Sequence, residues 1–152
     1  MSDARINMSD NFRKVIEEYE AIINKPLPIF RETPGYVQLR PEEWFIGLHY
    51  EFLDMHDYLT VEFHIEVKSA SKFVDELRDW VYIDEENKKI NPLLKAILDT
   101  DKIGVSQPWL RKDELSRLVA IYPNDNPRRV AEAMARFIHA TQHKISSWLK
   151  NR

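Results

Sequence analysis

The chain has 152 residues, enough for one domain with a buried core, and its formal net charge is only −3 at pH 7. It contains no cysteine, which excludes disulfides, thiolate metal sites and cysteine nucleophiles. No apolar run approaches the roughly 20 residues that a membrane helix needs, so we expect a cytoplasmic protein without a membrane partner.

The N-terminal part of the chain predicts a short leader followed by a helix. The tripeptide MSD occurs at Met1 and again at Met8, so residues 1–8 are expected to be a flexible leader of a single domain that spans residues 1–152. Apolar residues at three- and four-residue steps then predict an amphipathic helix over residues 11–24. Ser9 or Asp10 can cap the start of this helix, and Pro26 ends it.

Three segments after a proline-rich connector predict an antiparallel meander. These segments are residues 36–40, 44–52 and 59–67, and the second and third alternate strictly between apolar and mostly polar positions. One face of the meander is therefore apolar and the other polar. Such a pattern is typical of a sheet that helices cover on one side.

The second half of the chain predicts helices around a further pair of strands. A helix over residues 71–82 is followed by a short one starting at Pro92, with Asn91 as its cap. Residues 104–110 and 115–123 predict a hairpin, and the longest helix starts at Pro127 and runs to the C-terminus. The order α-β-β-β-α-(α)-β-β-α predicts an α+β two-layer sandwich, a five-stranded antiparallel sheet with helices on one face.

A Glu-x-Lys motif on the third predicted strand is a candidate catalytic feature. Metal-dependent nucleases carry such a motif on a strand, and Glu66 and Lys68 would here hold the metal ion and position the attacking water. The acidic partner is missing, however. If a tight turn pairs Leu53 with Tyr58, Asp57 stands about 30 Å from Glu66, at about 3.3 Å per residue. A nuclease or other metal-dependent hydrolase is therefore an alternative and not the favoured function.

The polar face of the same two strands offers a second candidate site. The register that pairs Leu53 with Tyr58 sets His49 opposite Glu62, with His64 two residues further along the same face. Two imidazoles and a carboxylate could hold zinc or another transition-metal ion. An ordinary cross-strand surface contact explains the same three residues, so we expect no cofactor and keep this metal site as an alternative.

The charge is distributed unevenly along the chain. Residues 1–110 carry 13 Lys and Arg against 21 Asp and Glu, whereas residues 111–152 carry 9 against 4. Within the acidic part, residues 42–86 hold 13 acidic residues and only three basic ones. This segment could offer an acidic surface to a basic partner, mimic a nucleic acid, or simply be solvated. Glu132 interrupts the basic face of the last helix, so nucleic-acid binding is not expected.

An excess of apolar residues on the last predicted strand suggests a partner surface. In the segment RLVAIY, Val119 and Ile121 point to one face while Leu118 and Tyr122 point to the other. A two-layer domain covers only one sheet face, so one set must meet a loop, a second subunit or a partner protein. The candidate partner-binding residues are Phe45, Trp109, Leu118 and Tyr122.

The element order and the segment RLVAIYPNDNPRRVAEAMARFIHATQHKISSWL resemble the secretion-chaperone-like fold, shared by type III secretion chaperones and the YbjN family of bacterial regulators. The resemblance covers residues 11–149. It implies a small, non-enzymatic cytoplasmic protein, often a homodimer, that binds a segment of another protein along an exposed sheet or helix surface. A protein-binding module is thus the favoured function. The alternatives are a metal-dependent hydrolase that uses Glu66 and Lys68, and an acidic regulator that mimics nucleic acid.

Overall fold

A computed structural model describes residues 2–45, 47–66, 72–84, 89–106 and 116–150. The helices in these ranges are α1 (Asp3–Ile6), α2 (Asp10–Ile22), α3 (Lys72–Val81), α4 (Pro92–Leu98) and α5 (Pro127–Lys150). The strands are β1 (Ile29–Glu32), β2 (Tyr36–Leu39), β3 (Leu48–Asp54), β4 (Tyr58–Ile65), β5 (Tyr82–Asp84), β6 (Lys89–Ile90), β7 (Ile103–Ser106) and β8 (Ser116–Pro123).

The main sheet has the strand order β1-β2-β3-β4-β8-β7, and every neighbouring pair is antiparallel. The α+β class and the order of the predicted elements are confirmed. The sheet contains the five predicted strands and one more, β1, which pairs with β2 at the edge. Strands β5 and β6 form a separate two-stranded pair.

Helices α2 and α5 pack on the apolar face of the sheet. The ring of Phe137 on α5 lies edge-on to the rings of Tyr50 and Phe63, at centroid distances of 5.8 and 5.9 Å. Tyr19 on α2 meets Phe52 in the same way at 5.5 Å. All five side chains are buried, so the alternate apolar residues of β3 and β4 form the centre of the core.

The helix starts follow the capping residues of the sequence. The Ser9 side chain accepts a hydrogen bond from the Phe12 amide at the start of α2, and Asn91 caps α4 in front of Pro92. Although α5 has 24 residues, none of the helices in the described ranges is both long enough and apolar enough to cross a membrane.

Residues 2–8, which we expected to be a leader, pack against the domain in the structure. Met8 is only 5% exposed and belongs to the hydrophobic core. Arg5 on α1 forms ion pairs with Glu20 on α2, at 2.6 Å, and with Glu32 on β1, at 2.8 Å. These contacts join α1 to both neighbouring elements.

The turn between β3 and β4 is tighter than predicted. Met55 and Tyr58 close a two-residue loop, because the Met55 amide donates to the Tyr58 carbonyl at 3.0 Å. His56 adopts φ 67°, in the left-handed region, and its amide donates to the Asp54 side chain. The predicted pairing of Leu53 with Tyr58 is therefore wrong. Leu53 pairs with Thr60, which shifts the register by two residues.

Candidate metal centre

The second face of β3 and β4 is polar and yet buried. His49, Glu51, Glu62 and His64 point to the side opposite the aromatic core and are each between 1% and 5% exposed. Buried polar and charged groups are stable only when they are hydrogen-bonded or paired. The contacts within this polar cluster therefore decide what the face can do.

The corrected register brings the four side chains of the polar cluster together. His49 lies directly opposite His64, and Glu51 lies directly opposite Glu62. The His64 Nε2 atom is 2.8 Å from Glu62 Oε1 and 3.6 Å from Glu51 Oε2. The His49 Nε2 atom is 3.9 Å from Glu51 Oε1, and the centroids of the two imidazole rings are 4.6 Å apart.

Three members of the cluster could share a single ion. One ligand atom from each of His49, Glu51 and His64 lies within 4.8 Å of the other two. In the part of the chain that the structure describes, no other group of three or more His, Asp or Glu side chains meets this condition. Imidazole and carboxylate together are a donor set that zinc and similar divalent ions accept.

Neighbouring side chains hold the two carboxylates in place. Gln38 on β2 donates from Nε2 to Glu51 Oε1 at 2.7 Å. Thr60 on β4 donates from Oγ1 to Glu62 Oε2 at 2.5 Å. Each carboxylate thus has one oxygen fixed by a neighbour, while its other oxygen faces His64 Nε2.

The second nitrogen of His64 lies within ion-pair distance of a further carboxylate. Its Nδ1 atom is 3.3 Å from Glu66 Oε1, and Arg117 on β8 donates to that same oxygen at 2.8 Å. A carboxylate behind an imidazole orients the ring and makes it a stronger base, as is common for metal-binding histidines. Gly47 is required beside this group, because a β-carbon there would collide with the Glu66 carbonyl.

The cluster shifts the pKa values of its members. Burial alone would lower the pKa of His64, but hydrogen bonds to Glu62 and Glu66 and the charge of Glu51 raise it to about 9. Burial raises the pKa of Glu51 above its ordinary value, although His64 and Gln38 oppose the effect. For Glu66, His64 and Arg117 outweigh burial and lower the pKa to about 2. His64 therefore carries a proton at neutral pH in the metal-free chain.

The three residues kept from the sequence as an alternative metal site belong to the polar cluster, but they are not the three that meet the distance condition. His49, Glu62 and His64 do lie together, but the set that meets the distance condition contains Glu51 instead of Glu62. Strict alternation already places Glu51 on the face of His49. The predicted register placed Glu51 opposite Thr60 and not opposite Glu62, so the cluster was not recognised. Recognising the two-residue turn at His56 would have revealed it.

The residues of the nuclease hypothesis have other contacts. Glu66 forms an ion pair with Arg117 and lies near the Nδ1 atom of His64. Glu51 and Glu62 face the other ring nitrogen, Nε2. Lys68 lies outside the described residues. In this arrangement Glu66 orients a histidine and does not itself face the other carboxylates.

The expected partner-binding residues do not form one exposed surface. Leu118 and Tyr122 are each 1% exposed and belong to the core, because β8 directs them to the side that the helices cover. Proteins that meet the folded domain therefore cannot contact them. Phe45 is half-buried, and Trp109 lies outside the described residues.

Part of the acidic charge in residues 42–86 does not face solvent, although six of the described acidic side chains in this segment are exposed. Glu51, Asp54 and Glu62 are buried, and Glu66 is paired with Arg117. The segment consequently offers a weaker acidic surface than its composition suggests, which reduces the support for nucleic-acid mimicry.

Comparisons with protein-family models, with curated proteins and with solved structures found no match to this chain. Fold and site together define it as an α+β domain with a buried His-Glu cluster on the second face of an antiparallel sheet. Functional inference therefore depends on the chemistry of that cluster.

Proposed function

We propose that the chain binds a divalent transition-metal ion of the zinc class between β3 and β4, through His49, Glu51 and His64. The observation that carries this proposal is the approach of one ligand atom from each residue to within 4.8 Å of the others. The hydrogen bond from Gln38 to Glu51 and the carboxylate of Glu66 near His64 Nδ1 support it, because metal ligands characteristically have a second layer of polar partners.

The distances in the cluster are close to those of a tetrahedral zinc site. Bonds of about 2.0–2.2 Å from zinc to nitrogen and oxygen place neighbouring ligand atoms about 3.3–3.6 Å apart in a tetrahedron. Glu51 Oε2 is 3.6 Å from the Nε2 atom of His64, and Glu51 Oε1 is 3.9 Å from the Nε2 atom of His49. One ligand atom from each of the three residues lies within 4.8 Å of the others, so the side chains have to move closer together to surround one ion.

The electrostatics of the cluster also favour a bound cation. Three carboxylates surround His64, and Arg117 forms an ion pair with one of them, Glu66. The carboxylates stabilise a proton on His64, and a divalent ion would supply the same kind of charge in its place. Coordination requires the neutral imidazole, so metal binding releases the proton.

The burial of the cluster favours a structural role for the ion. All three proposed ligands are at most 5% exposed, so a substrate has no direct approach to them in this conformation. An ion that binds the folded chain alone raises the free energy of unfolding. The proposed function is accordingly metal-dependent stabilisation of the domain.

A zinc titration of chelator-treated protein tests the proposal. We expect the melting temperature to rise with zinc in the wild type, and this rise to disappear in His49→Ala and His64→Ala. The matched control is His143→Ala, which removes an exposed imidazole from α5 and should leave the response to zinc unchanged. A wild type whose melting is indifferent to zinc, nickel, cobalt and manganese contradicts the proposal.

A groove between α2 and α5 favours a second candidate function, the binding of an acidic peptide segment of another protein. The groove has a volume of about 400 Å³ and runs beside the C-terminal end of α2. Ile22, Ile23 and Ile138 make it apolar, while Lys25 and Arg136 stand exposed at its rim. None of the described residues that line it is acidic. Aliphatic side chains flanked by carboxylates would complement such a groove.

Fluorescence anisotropy with a labelled amphipathic peptide of Leu and Glu tests this second function. We expect the double variant Lys25→Glu, Arg136→Glu to lose binding, and binding by the wild type to weaken as salt rises. Lys14→Glu changes an exposed charge elsewhere on α2 and serves as the control. Equal binding by all three proteins contradicts the assignment of the groove.

A further inference from the structure

We infer that Glu62 is the fourth ligand of the proposed ion, so that the site is a closed one made of two histidines and two glutamates. This inference rests on the proposed function and deepens it. Three protein ligands with an open position are typical of catalytic zinc, whereas four protein ligands are typical of structural zinc. The identity of the fourth ligand therefore decides what kind of site this is.

The register of β3 and β4 places Glu62 at the remaining corner of a square. His49 faces His64 across the two strands, and Glu51 faces Glu62 two residues along the same face. Directly opposed side chains have β-carbons about 4.5–5.5 Å apart, which is within reach of a shared ion. Glu62 thus lies on the same face and meets His64, but it does not meet the distance condition that His49, Glu51 and His64 share, so its carboxylate has to rotate towards the ion.

One oxygen of Glu62 faces the same nitrogen of His64 as Glu51 does. Its Oε1 atom is 2.8 Å from His64 Nε2, the nitrogen that also faces Glu51 Oε2. Its Oε2 atom accepts the hydrogen bond from Thr60, as Glu51 Oε1 accepts one from Gln38. Each carboxylate can therefore give one oxygen to the ion and keep the other bonded to the protein.

The charge of a buried divalent ion also calls for Glu62. Two neutral imidazoles and the single carboxylate of Glu51 would leave one uncompensated positive charge in a site shielded from water. Burying an unpaired charge is costly, and the carboxylate of Glu62 completes the neutralisation. With four protein ligands no coordination position is left to activate a water molecule, so the ion stabilises the fold and does not hydrolyse a substrate.

A competition titration with zinc and a chromophoric chelator tests the inference by measuring the zinc affinity of Glu62→Gln. This variant keeps the size of the side chain but replaces the carboxylate by an amide, which is a poor zinc ligand. We expect the zinc affinity to fall more than about 100-fold, beyond the 10–100-fold usual for loss of an outer contact. Thr60→Val removes only the hydrogen bond that orients Glu62, and we expect a loss of about 10–100-fold.

The outcomes separate the two proposals. If Glu62→Gln and Thr60→Val bind zinc as the wild type does, while His49→Ala and His64→Ala do not, Glu62 is not a ligand and the three-residue site stands. If the wild type itself does not bind zinc, both proposals fail. If Glu62→Gln does not fold, as circular dichroism would reveal, the Thr60→Val affinity decides, and an unchanged value overturns the fourth-ligand assignment.

Discussion

The two faces of β3 and β4 are both buried but are built on different principles. On one face Tyr50 lies opposite Phe63, and one residue away on the other face His49 lies opposite His64. The aromatic pair packs under α5, where burial of apolar area is favourable with little dependence on orientation. The imidazole pair is stable only because carboxylates lie within ion-pair distance of both rings.

This contrast shows how one register serves two purposes. Because side chains alternate along a strand, the pairing that aligns Tyr50 with Phe63 also aligns Glu51 with Glu62. A shift of pairing would therefore disturb the core and the polar cluster together. The apolar face should respond mainly to changes of volume, and the polar face to protons and metal ions.

The largest effect is expected on the apolar face. Phe137→Ala should lower the free energy of unfolding by about 3–5 kcal/mol, because it removes a buried ring that contacts two others. Urea denaturation of metal-free protein measures this loss. Leu93→Ala, at a side chain that is 61% exposed, is the control and should change stability by less than about 0.5 kcal/mol. Equal effects of the two variants would contradict the assignment of the core.

Zinc should act on the polar face alone. At a free zinc concentration 100 times the dissociation constant, the free energy of unfolding should rise by about 2.7 kcal/mol in the wild type. Phe137→Ala should show the same increment if it remains folded, since it leaves the polar cluster intact. His64→Ala should show none. If zinc still stabilises His64→Ala but no longer stabilises Phe137→Ala, the ion binds elsewhere.

The pH dependence of metal-free protein should also originate on the polar face. The pKa of His64 is raised from 6.5 to about 9, so its stabilising contribution is complete below pH 6.5 and is lost as pH rises through 9. The pKa of Glu66 is lowered from 4.5 to about 2, so its contribution is present above pH 4.5 and is lost as pH falls towards 2. Urea denaturation between pH 6 and 10 should show the alkaline loss in the wild type and a smaller loss in His64→Gln. Identical profiles would contradict the pairing of His64 with its carboxylates.

The smallest effect is expected from the hydrogen bond at the centre of the apolar face. The Tyr50 hydroxyl and the Thr141 hydroxyl are 2.6 Å apart, and Thr141 also donates to the Phe137 carbonyl. Tyr50→Phe removes one partner and leaves Thr141 bonded, so we expect a loss of about 1 kcal/mol. Urea denaturation measures it, and a loss above about 3 kcal/mol would mean that Tyr50 has a further role.

The fold was largely predictable from the sequence because the elements have clear periodicity and caps. Ser9 and Asn91 mark the starts of α2 and α4, and alternation assigns the faces of β3 and β4 correctly. Strand β1 was missed, since its four residues lie in a proline-rich connector and gain their hydrogen bonds only by pairing with β2.

The candidate site was only partly predictable. The sequence places His49 and His64 on a common face, but the partners across the strands depend on the length of the turn. Nothing in the periodicity distinguishes a four-residue loop from the two-residue loop at His56. Contacts from more distant strands, such as those of Gln38 and Arg117, depend on sheet order and cannot be read from local patterns.

The most direct test of the proposed metal centre is the stoichiometry of bound zinc. Equilibrium dialysis would measure it for the wild type and for the double variant His49→Ala, His64→Ala. Chelator-treated protein would be dialysed against micromolar zinc and its metal content determined by mass spectrometry. We expect one tightly bound zinc ion per wild-type chain and none in a folded double variant. Equal zinc content in the two proteins, whether zero or one, would contradict a metal centre on the polar face of the sheet.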